Sequence, residues 1–306
     1  MRGDKLLENL TIFTTIDSNY ADSSLVCLHS FRKYHTYPVQ VYCLNFSDNV
    51  FEAYKKNTAK IKDVYPVKWN MKNVNIDCYN WNTCYAKILP QISAKFDILN
   101  DIHTNWALYF DTDTLFINNI DGIFDNPDEL NGVCLNKTQV DVNCGLFLLK
   151  NRKIDYFTEY VKYCKEHSTD YFGIDEGFLS TLYRGKIKQL PNYYGINGYY
   201  DLTEDTKMIH YMGAIKPFKM DDDYNLMCLW FNRYFKQWYD YYDSVKDLFT
   251  FSERFNNDVN RIRNMTFNVS RMGNAHPEMR MFMKAGEKGL QLVMNKMISD
   301  YKRGKQ

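Results

Sequence analysis

Short apolar runs of β-forming residues alternate with helical patterns through the first part of this chain, and that alternation leaves few folds open. Residues 11–16 form an apolar, β-rich run broken by Asp17, Ser18 and Asn19, which predicts a strand followed by a loop. Leu25, Val26, Leu28 and Phe31 then recur at helical spacing through residues 22–35, with Asp22 as the expected cap. Val39–Leu44 predicts a second strand, residues 49–60 a second helix and residues 64–67 a third strand. Strands separated by helices return in the same direction, so the pattern predicts βαβ units and a mainly parallel sheet flanked by helices. Such sheets bind ligands at the carboxyl ends of their strands.

The remainder extends this pattern and then departs from it. Residues 68–82 are polar, Asn-rich and irregular, a loop that could cross the mouth of a site, and residues 83–99 return to helix. Trp106–Phe110 predicts a strand that stops at Asp111-Thr112-Asp113, after which residues 115–117 resume the apolar run. Further strands are expected at 132–135 and 142–149, then a helix at 153–166, a loop at 173–177 and a helix at 178–183. A strand at 208–212 ends near Lys216-Pro217-Phe218. Past residue 220 the pattern is helical. Phe231, Tyr234, Phe235, Trp238 and Tyr242 lie on one face of residues 228–243, a stripe that reads as core. Leu290, Val293, Met294, Met297, Ile298 and Tyr301 form another stripe in residues 287–303. These patterns predict an α/β domain over residues 1–225 and a helical extension over 226–306.

Charge separates the two parts. The chain has a net charge of +1, yet residues 251–306 hold 11 Lys/Arg against 5 Asp/Glu. A basic tail on a mildly acidic body is either a solvated helical face or an approach surface for an anionic acceptor such as lipopolysaccharide or nucleic acid. The eight cysteines form no C-x-x-C pair and fit neither a zinc site nor a disulfide framework, and several sit in apolar runs where they are expected to be core thiols. The first residues lack a signal-peptide core and no apolar run nears ~18 residues, so no transmembrane segment is expected and the protein is expected in the cytoplasm. The sequence leaves a homodimer open.

The chemistry concentrates at Asp111-Thr112-Asp113. Two carboxylates interrupting an apolar strand are costly unless paired or holding a cation. If the chain stays extended, side chains at i and i+2 point the same way. Oxygen donors of this kind suit a hard divalent ion, Mn²⁺ or Mg²⁺, able to bridge the phosphates of a nucleotide-sugar. In the segment from Ile209 to Phe218, His210 can add a nitrogen ligand, Gly213 allows close backbone approach, and Lys216 offers a point charge for phosphate. Asn143 and Gly145 precede an apolar strand, and Asp175-Glu176 sit at a loop-to-helix junction where helix capping is the simpler reading.

In order, Asp17 to Tyr20, Lys87, Asp111-x-Asp113, Asn143-x-Gly145, Asp175-Glu176 and His210-x-x-Gly213-x-x-Lys216-Pro217 resemble the retaining glycosyltransferases of family 8, the glycogenin and lipopolysaccharide galactosyltransferase group. The resemblance covers about residues 11–219. It implies a GT-A type, Rossmann-like sheet with Mn²⁺ (or Mg²⁺) held by Asp111, Asp113 and His210, and a UDP-sugar, usually UDP-glucose or UDP-galactose, as donor. By the same resemblance Thr14, Asp17 and Tyr20 contact the uridine, and Lys87, Thr112, Gly213 and Lys216 lie along the phosphates or sugar. Asn143, Gly145, Asp175 and Glu176 line the sugar pocket, with Asn143, Asp175 and Glu176 as catalytic candidates. The family usually has Asp-Gln where this chain has Asp175-Glu176, and that carboxylate could act as a nucleophile. Two other readings are a non-catalytic glycan- or nucleotide-binding module of the same fold and an adaptor working through the basic tail.

Overall fold

The computed structural model describes residues 6–72, 83–134, 142–167, 174–195, 202–211, 215–220 and 234–275. Its centre is a seven-stranded sheet in the order β3-β2-β1-β4-β7-β6-β8. The strands are β1 (Leu10–Ile16), β2 (Val39–Leu44), β3 (Val64–Trp69), β4 (Trp106–Phe110), β6 (Leu130–Cys134), β7 (Val142–Lys150) and β8 (Ile187–Leu190). β1 pairs parallel with β2 and β4, and β2 with β3. β7 alone runs antiparallel, to both β4 and β6, and β6 pairs parallel with β8. The mainly parallel sheet expected from the strand-helix alternation is present. It is a GT-A type, Rossmann-like α/β fold.

Alternation along the strands sends residues to two separate cores. Ile12, Val41, Leu108, Phe110 and Leu148 pack on one face with Leu28 and Phe31 of α1 (Ala21–Tyr34) and Tyr54 of α2 (Asp48–Thr58). Phe13, Tyr109, Phe147 and Leu149 pack on the other. That second core takes Phe96 from α3 (Thr83–Asp101), Tyr160 from α4 (Tyr156–Glu166) and Phe178 from α5 (Ile174–Leu182). Burying each large side chain contributes roughly 1.5–3 kcal/mol, which is what locks the strand register. Cys27, Cys43, Cys134, Cys144 and Cys164 are free and buried, as expected of core thiols.

Two local expectations are corrected. α1 begins at Ala21 with Tyr20 at its cap position, so Asp22 lies in the first turn and interacts with the helix dipole instead of capping it. α5 begins at Ile174, which puts Asp175 and Glu176 in a helical turn and not in a loop. The helical pattern expected past residue 220 is present as α6 (Phe235–Val245) and α7 (Glu253–Ala275), the second without bounds assigned to it from sequence. The expected helix at 287–303 and the first residues of the one at 228–243 lie outside the described residues.

The chain divides into two compact units. The first comprises Met1–Ile196, Leu202–His210 and Tyr241–Phe251. Here the Asn57 side chain holds the backbone of Thr250 by donating to its carbonyl and accepting from its N–H, both at 2.9 Å. The second comprises Asn197–Asp201, Tyr211–Asp240 and Ser252–Gln306. It contains the hairpin of β10 (Ile215–Lys216) and β11 (Lys219–Met220), with Phe218, Trp238 and Phe255 in aromatic contact. Among the described residues no helix is long and apolar enough to cross a membrane.

Candidate active site

The site stands at the carboxyl end of β4, the middle strand of the sheet. Asp111-Thr112-Asp113 is a turn, so the two carboxylates do not converge through extended-strand alternation as the sequence suggested. The turn is closed by Thr114 Oγ1, which donates to the Asp111 carbonyl at 2.7 Å. Beyond it β5 (Thr114–Phe116) leaves the main sheet and pairs antiparallel with β9 (Met208–His210), setting Thr114 opposite His210. That short pairing carries His210 to aspartates that lie 97 and 99 residues earlier in the chain. His210 Nε2 lies 3.2 Å from Asp113 Oδ1 and 3.7 Å from Asp111 Oδ2.

β7 forms the opposite wall. The Asp111 N–H donates to the Gly145 carbonyl at 2.9 Å, continuing the β4–β7 ladder by one residue. Asn143 and Gly145 share a face of β7. Gly145 has no side chain, and the imidazole of His210 occupies the space: a Cβ there would lie 2.2 Å from His210 Cε1 and Nδ1. Asn143 Oδ1 sits 3.1 Å from His210 Nδ1 and accepts from the Gly145 N–H at 3.0 Å. Its Nδ2 donates to Glu176 Oε1 at 2.8 Å. α5, which carries Glu176, is tied to β7 by the Val142 N–H donating to Ser180 Oγ at 3.0 Å.

A residue the sequence reading passed over completes the network. Lys95, on α3, is buried, donates to Asp175 Oδ2 at 2.8 Å and lies 4.7 Å from the centre of the Tyr109 ring. The Tyr109 hydroxyl donates to Asp111 Oδ1 at 2.6 Å and lies 3.1 Å from Thr15 Oγ1. The available clue was Lys95 inside the apolar stretch Ala94-Lys95-Phe96, since a lysine on a buried helix face requires a partner. Lys87, expected along the phosphates or sugar, belongs to the same helix, and its side chain lies outside the described residues.

The electrostatics show why these groups sit together. Burial pushes the Asp111 carboxyl above its usual range, and Asp113 adds to this against the pull of Lys95 and His210. Burial would raise Asp175 as well, but Lys95 outweighs it and holds that carboxyl below the usual range. Burial would lower Lys95, yet Asp175, Tyr109 and Asp111 keep it well above its ordinary value. Glu176 is pushed up to about 7, by burial first and by Asp175 second. Lys95→Met would leave Asp175 an uncompensated buried charge. We expect it to cost about 3–5 kcal/mol in denaturant unfolding, much of it recovered in the Lys95→Met/Asp175→Asn double variant.

Asp111, Asp113 and His210 each offer one ligand atom, all within 4.8 Å of one another. Bonds of about 2.1 Å to a six-coordinate ion place neighbouring donors ~3–4 Å apart, which matches the His210 distances. Burial first and Asp113 second disfavour ionised Asp111, and a divalent cation beside it would favour the charged form. The donor set fits such an ion.

The other expected residues are placed as follows. Thr14 is buried, and its hydroxyl donates to the Phe110 carbonyl at 2.7 Å, bracing β1 against β4. Asp17 Oδ1 accepts from the Asn19 N–H at 2.8 Å in the turn after β1, and Tyr20 caps α1. Thr112 is buried within the aspartate turn. Lys216 belongs to the second unit, where its ammonium donates to the Tyr211 carbonyl at 2.9 Å. Gly213 lies outside the described residues.

A central strand of a mainly parallel sheet ending in an Asp-x-Asp turn, closed by a histidine, is the arrangement of GT-A type glycosyltransferase folds. Comparison with solved structures bears out this fold. The galactosyltransferase LgtC, solved with donor and acceptor sugar analogs, superposes with a TM-score of 0.61 at 15% identity, over 81% of this chain and 99% of that one. The glycosyltransferase GlyE of Streptococcus pneumoniae TIGR4 gives 0.57 at 13% identity, over 79% of this chain and 66% of that one. The bifunctional glycosyltransferase WbbM gives 0.52 at 15%, over 76% and 51%. No family model matches the sequence and no curated protein matches it.

Proposed function

We propose that this chain is a metal-dependent, retaining glycosyltransferase that takes a sugar from a UDP-sugar donor. The observation that carries the proposal is the Asp111–Asp113–His210 donor set at the carboxyl end of β4 in a GT-A type fold. Mn²⁺ or Mg²⁺ bound there would neutralise charge developing on the departing diphosphate. The remaining work falls to the chain's own side chains. Asp17 and Tyr20 serve the uridine end, Lys87 and Thr112 the phosphates or sugar, and Asn143, Gly145, Asp175 and Glu176 the sugar. Lys95 keeps Asp175 ionised and in one rotamer, ready to accept hydrogen bonds from sugar hydroxyls.

Glu176 distinguishes two retaining routes. In a double displacement a Glu176 oxygen bonds to the anomeric carbon as the bond to the diphosphate oxygen breaks. The acceptor hydroxyl, passing its proton to the released diphosphate, then displaces that carboxylate, and two inversions restore the configuration. In front-face substitution Glu176 only orients the sugar. Among the similar solved structures is an active-site mutant of LgtC in which Gln is replaced by Glu, with a TM-score of 0.60 at 16% identity. In this chain a glutamate is native.

Glu176→Gln tests these routes and carries its own pH signature. A glutamate held at about 7 binds its proton more tightly folded than unfolded, where it titrates near 4.5. Its contribution to stability is complete below ~4.5 and is lost as the pH rises through about 7, a loss on the order of 1–3 kcal/mol. We expect Glu176→Gln to flatten that decline in metal-free unfolding curves. If ionised Glu176 is the nucleophile, wild-type kcat/KM rises with pH through about 7, and the Gln variant loses both that limb and its turnover. A Gln variant with full turnover and the same donor preference would assign the front-face route.

The class itself is tested by incubating the purified protein with MnCl2 and a panel of UDP- and GDP-sugars without acceptor. Release of free sugar from one donor, abolished by EDTA, is expected. No hydrolysis, no binding and no effect of EDTA on thermal stability would reject the reading in favour of a non-catalytic module. Salt-dependent acceptor binding and solution mass on the same preparation test an anionic acceptor and homodimerisation.

A further inference from the structure

We propose that Asn143 is a positioning residue whose single side-chain amide selects the tautomer of His210 with its oxygen and aims Glu176 with its nitrogen. The proposal rests on the reading of Asp111, Asp113 and His210 as a cation site.

The two ends of an amide are told apart only by their partners, and here one partner is unambiguous. The Gly145 backbone N–H can only donate, and it meets the Asn143 amide at 3.0 Å, so the atom it meets is Oδ1. The same oxygen lies 3.1 Å from His210 Nδ1. An amide oxygen carries no hydrogen, so Nδ1 must be the donor. A neutral imidazole has one N–H, and with it on Nδ1 the lone pair is on Nε2, the atom 3.2 Å from Asp113 Oδ1 and 3.7 Å from Asp111 Oδ2. The other tautomer would set lone pair against lone pair at Asn143 and turn an N–H into the position a cation must occupy. With a cation in place of the Nε2 proton, the amide would therefore hold the imidazole in its ligating tautomer.

The nitrogen end is then committed to Glu176 Oε1 at 2.8 Å. Because β7 and α5 are joined through Val142 and Ser180, rotating the amide by half a turn would break the contacts to Gly145, His210 and Glu176 together. One plane thus sets cation affinity at its oxygen and the orientation of Glu176 at its nitrogen, two functions that substitution can separate.

The test is Mn²⁺ binding, followed by electron paramagnetic resonance with MnCl2 as the only ligand, on the full chain carrying Asn143→Ala or Asn143→Asp. Asn143→Ala is expected to weaken Mn²⁺ binding 10–100-fold, since it removes the acceptor facing Nδ1. Asn143→Asp keeps that acceptor and the bond from Gly145, so Mn²⁺ should bind as tightly as in the wild type or more tightly. It loses the donor to Glu176, so donor hydrolysis should still fall at least tenfold. Such a split would not arise from a merely structural role, which moves both readouts together. Wild-type affinity in the alanine variant, or affinity tens of times weaker in a folded aspartate variant, overturns the proposal, and the aspartate result stands alone if the alanine variant does not fold. A wild type that binds no Mn²⁺ is a different failure, because it overturns the cation reading and this proposal with it.

Discussion

Asp113→Asn is expected to cut sugar transfer by on the order of a thousandfold while leaving the metal-free protein at least as stable as the wild type. The carboxylate is one of two anionic donors to the proposed cation, and a cation at a departing diphosphate contributes several kcal/mol of charge stabilisation, at 1.36 kcal/mol per factor of ten. The neutral amide keeps the shape of the side chain but loses the charge that makes it a strong ligand. Without metal the substitution works the other way. Asp113 is one of the groups that disfavour ionised Asp111, so its removal relieves repulsion in the empty site. The two effects separate in one instrument. In thermal unfolding with and without MnCl2 the wild type should gain stability with the ion, and Asp113→Asn should show an unchanged or higher metal-free midpoint with no gain. Wild-type turnover in this variant would remove the metal assignment.

Gly145→Ala is the smallest change expected to do comparable damage. The new Cβ would stand 2.2 Å from two atoms of the His210 ring and 2.9 Å from Asn143 Oδ1. The ring cannot retreat without abandoning the aspartates, and β7 cannot move without breaking its ladder to β4. We expect a stability loss of about 1–3 kcal/mol from overpacking and a weakening of Mn²⁺ binding of at least ~100-fold, because His210 is turned out. Calorimetric titration with MnCl2 decides it: an alanine variant with wild-type affinity would show that the imidazole can ligate from another position. Other strand glycines make close approaches too, Gly132 against Val142 for instance, but there the neighbour is core packing and no ligand is lost.

Most helices and strands of the α/β part are legible in the sequence, with α1–α4 falling close to their expected bounds, whereas the short strand β8 carries no signal of its own. β1, β2, β4 and β7 are visible because their apolar runs are local and bounded by polar residues. The bounds of α7 within the expected helical extension were not legible, although Phe255, Val259 and Ile262 are buried at spacings of four and three, because the apolar stripe is narrow among polar and basic residues. Lys95 escaped notice beside Lys87 for a geometric reason. Eight residues are about 2.2 turns of helix, so the two positions differ by less than a quarter turn in direction, and periodicity discriminates poorly between them. Only the packing of α3 against the sheet identifies Lys95 as the partner of Asp175.

The chain alone determined that Asp111 and Asp113 end a buried strand of a mainly parallel sheet, since apolar periodicity and the cost of charge beside a core are local properties of sequence. It also carried the histidine, the asparagine and the acidic pair as separate fragments. Tertiary structure decided what they are to one another. The β5–β9 pairing delivers His210, the bare face of Gly145 admits its ring, and the first turn of α5 brings Glu176 to Asn143. Each of these depends on contacts between residues far apart in the chain, set by strand register and by the space left where a side chain is missing, and neither has a local sequence signature.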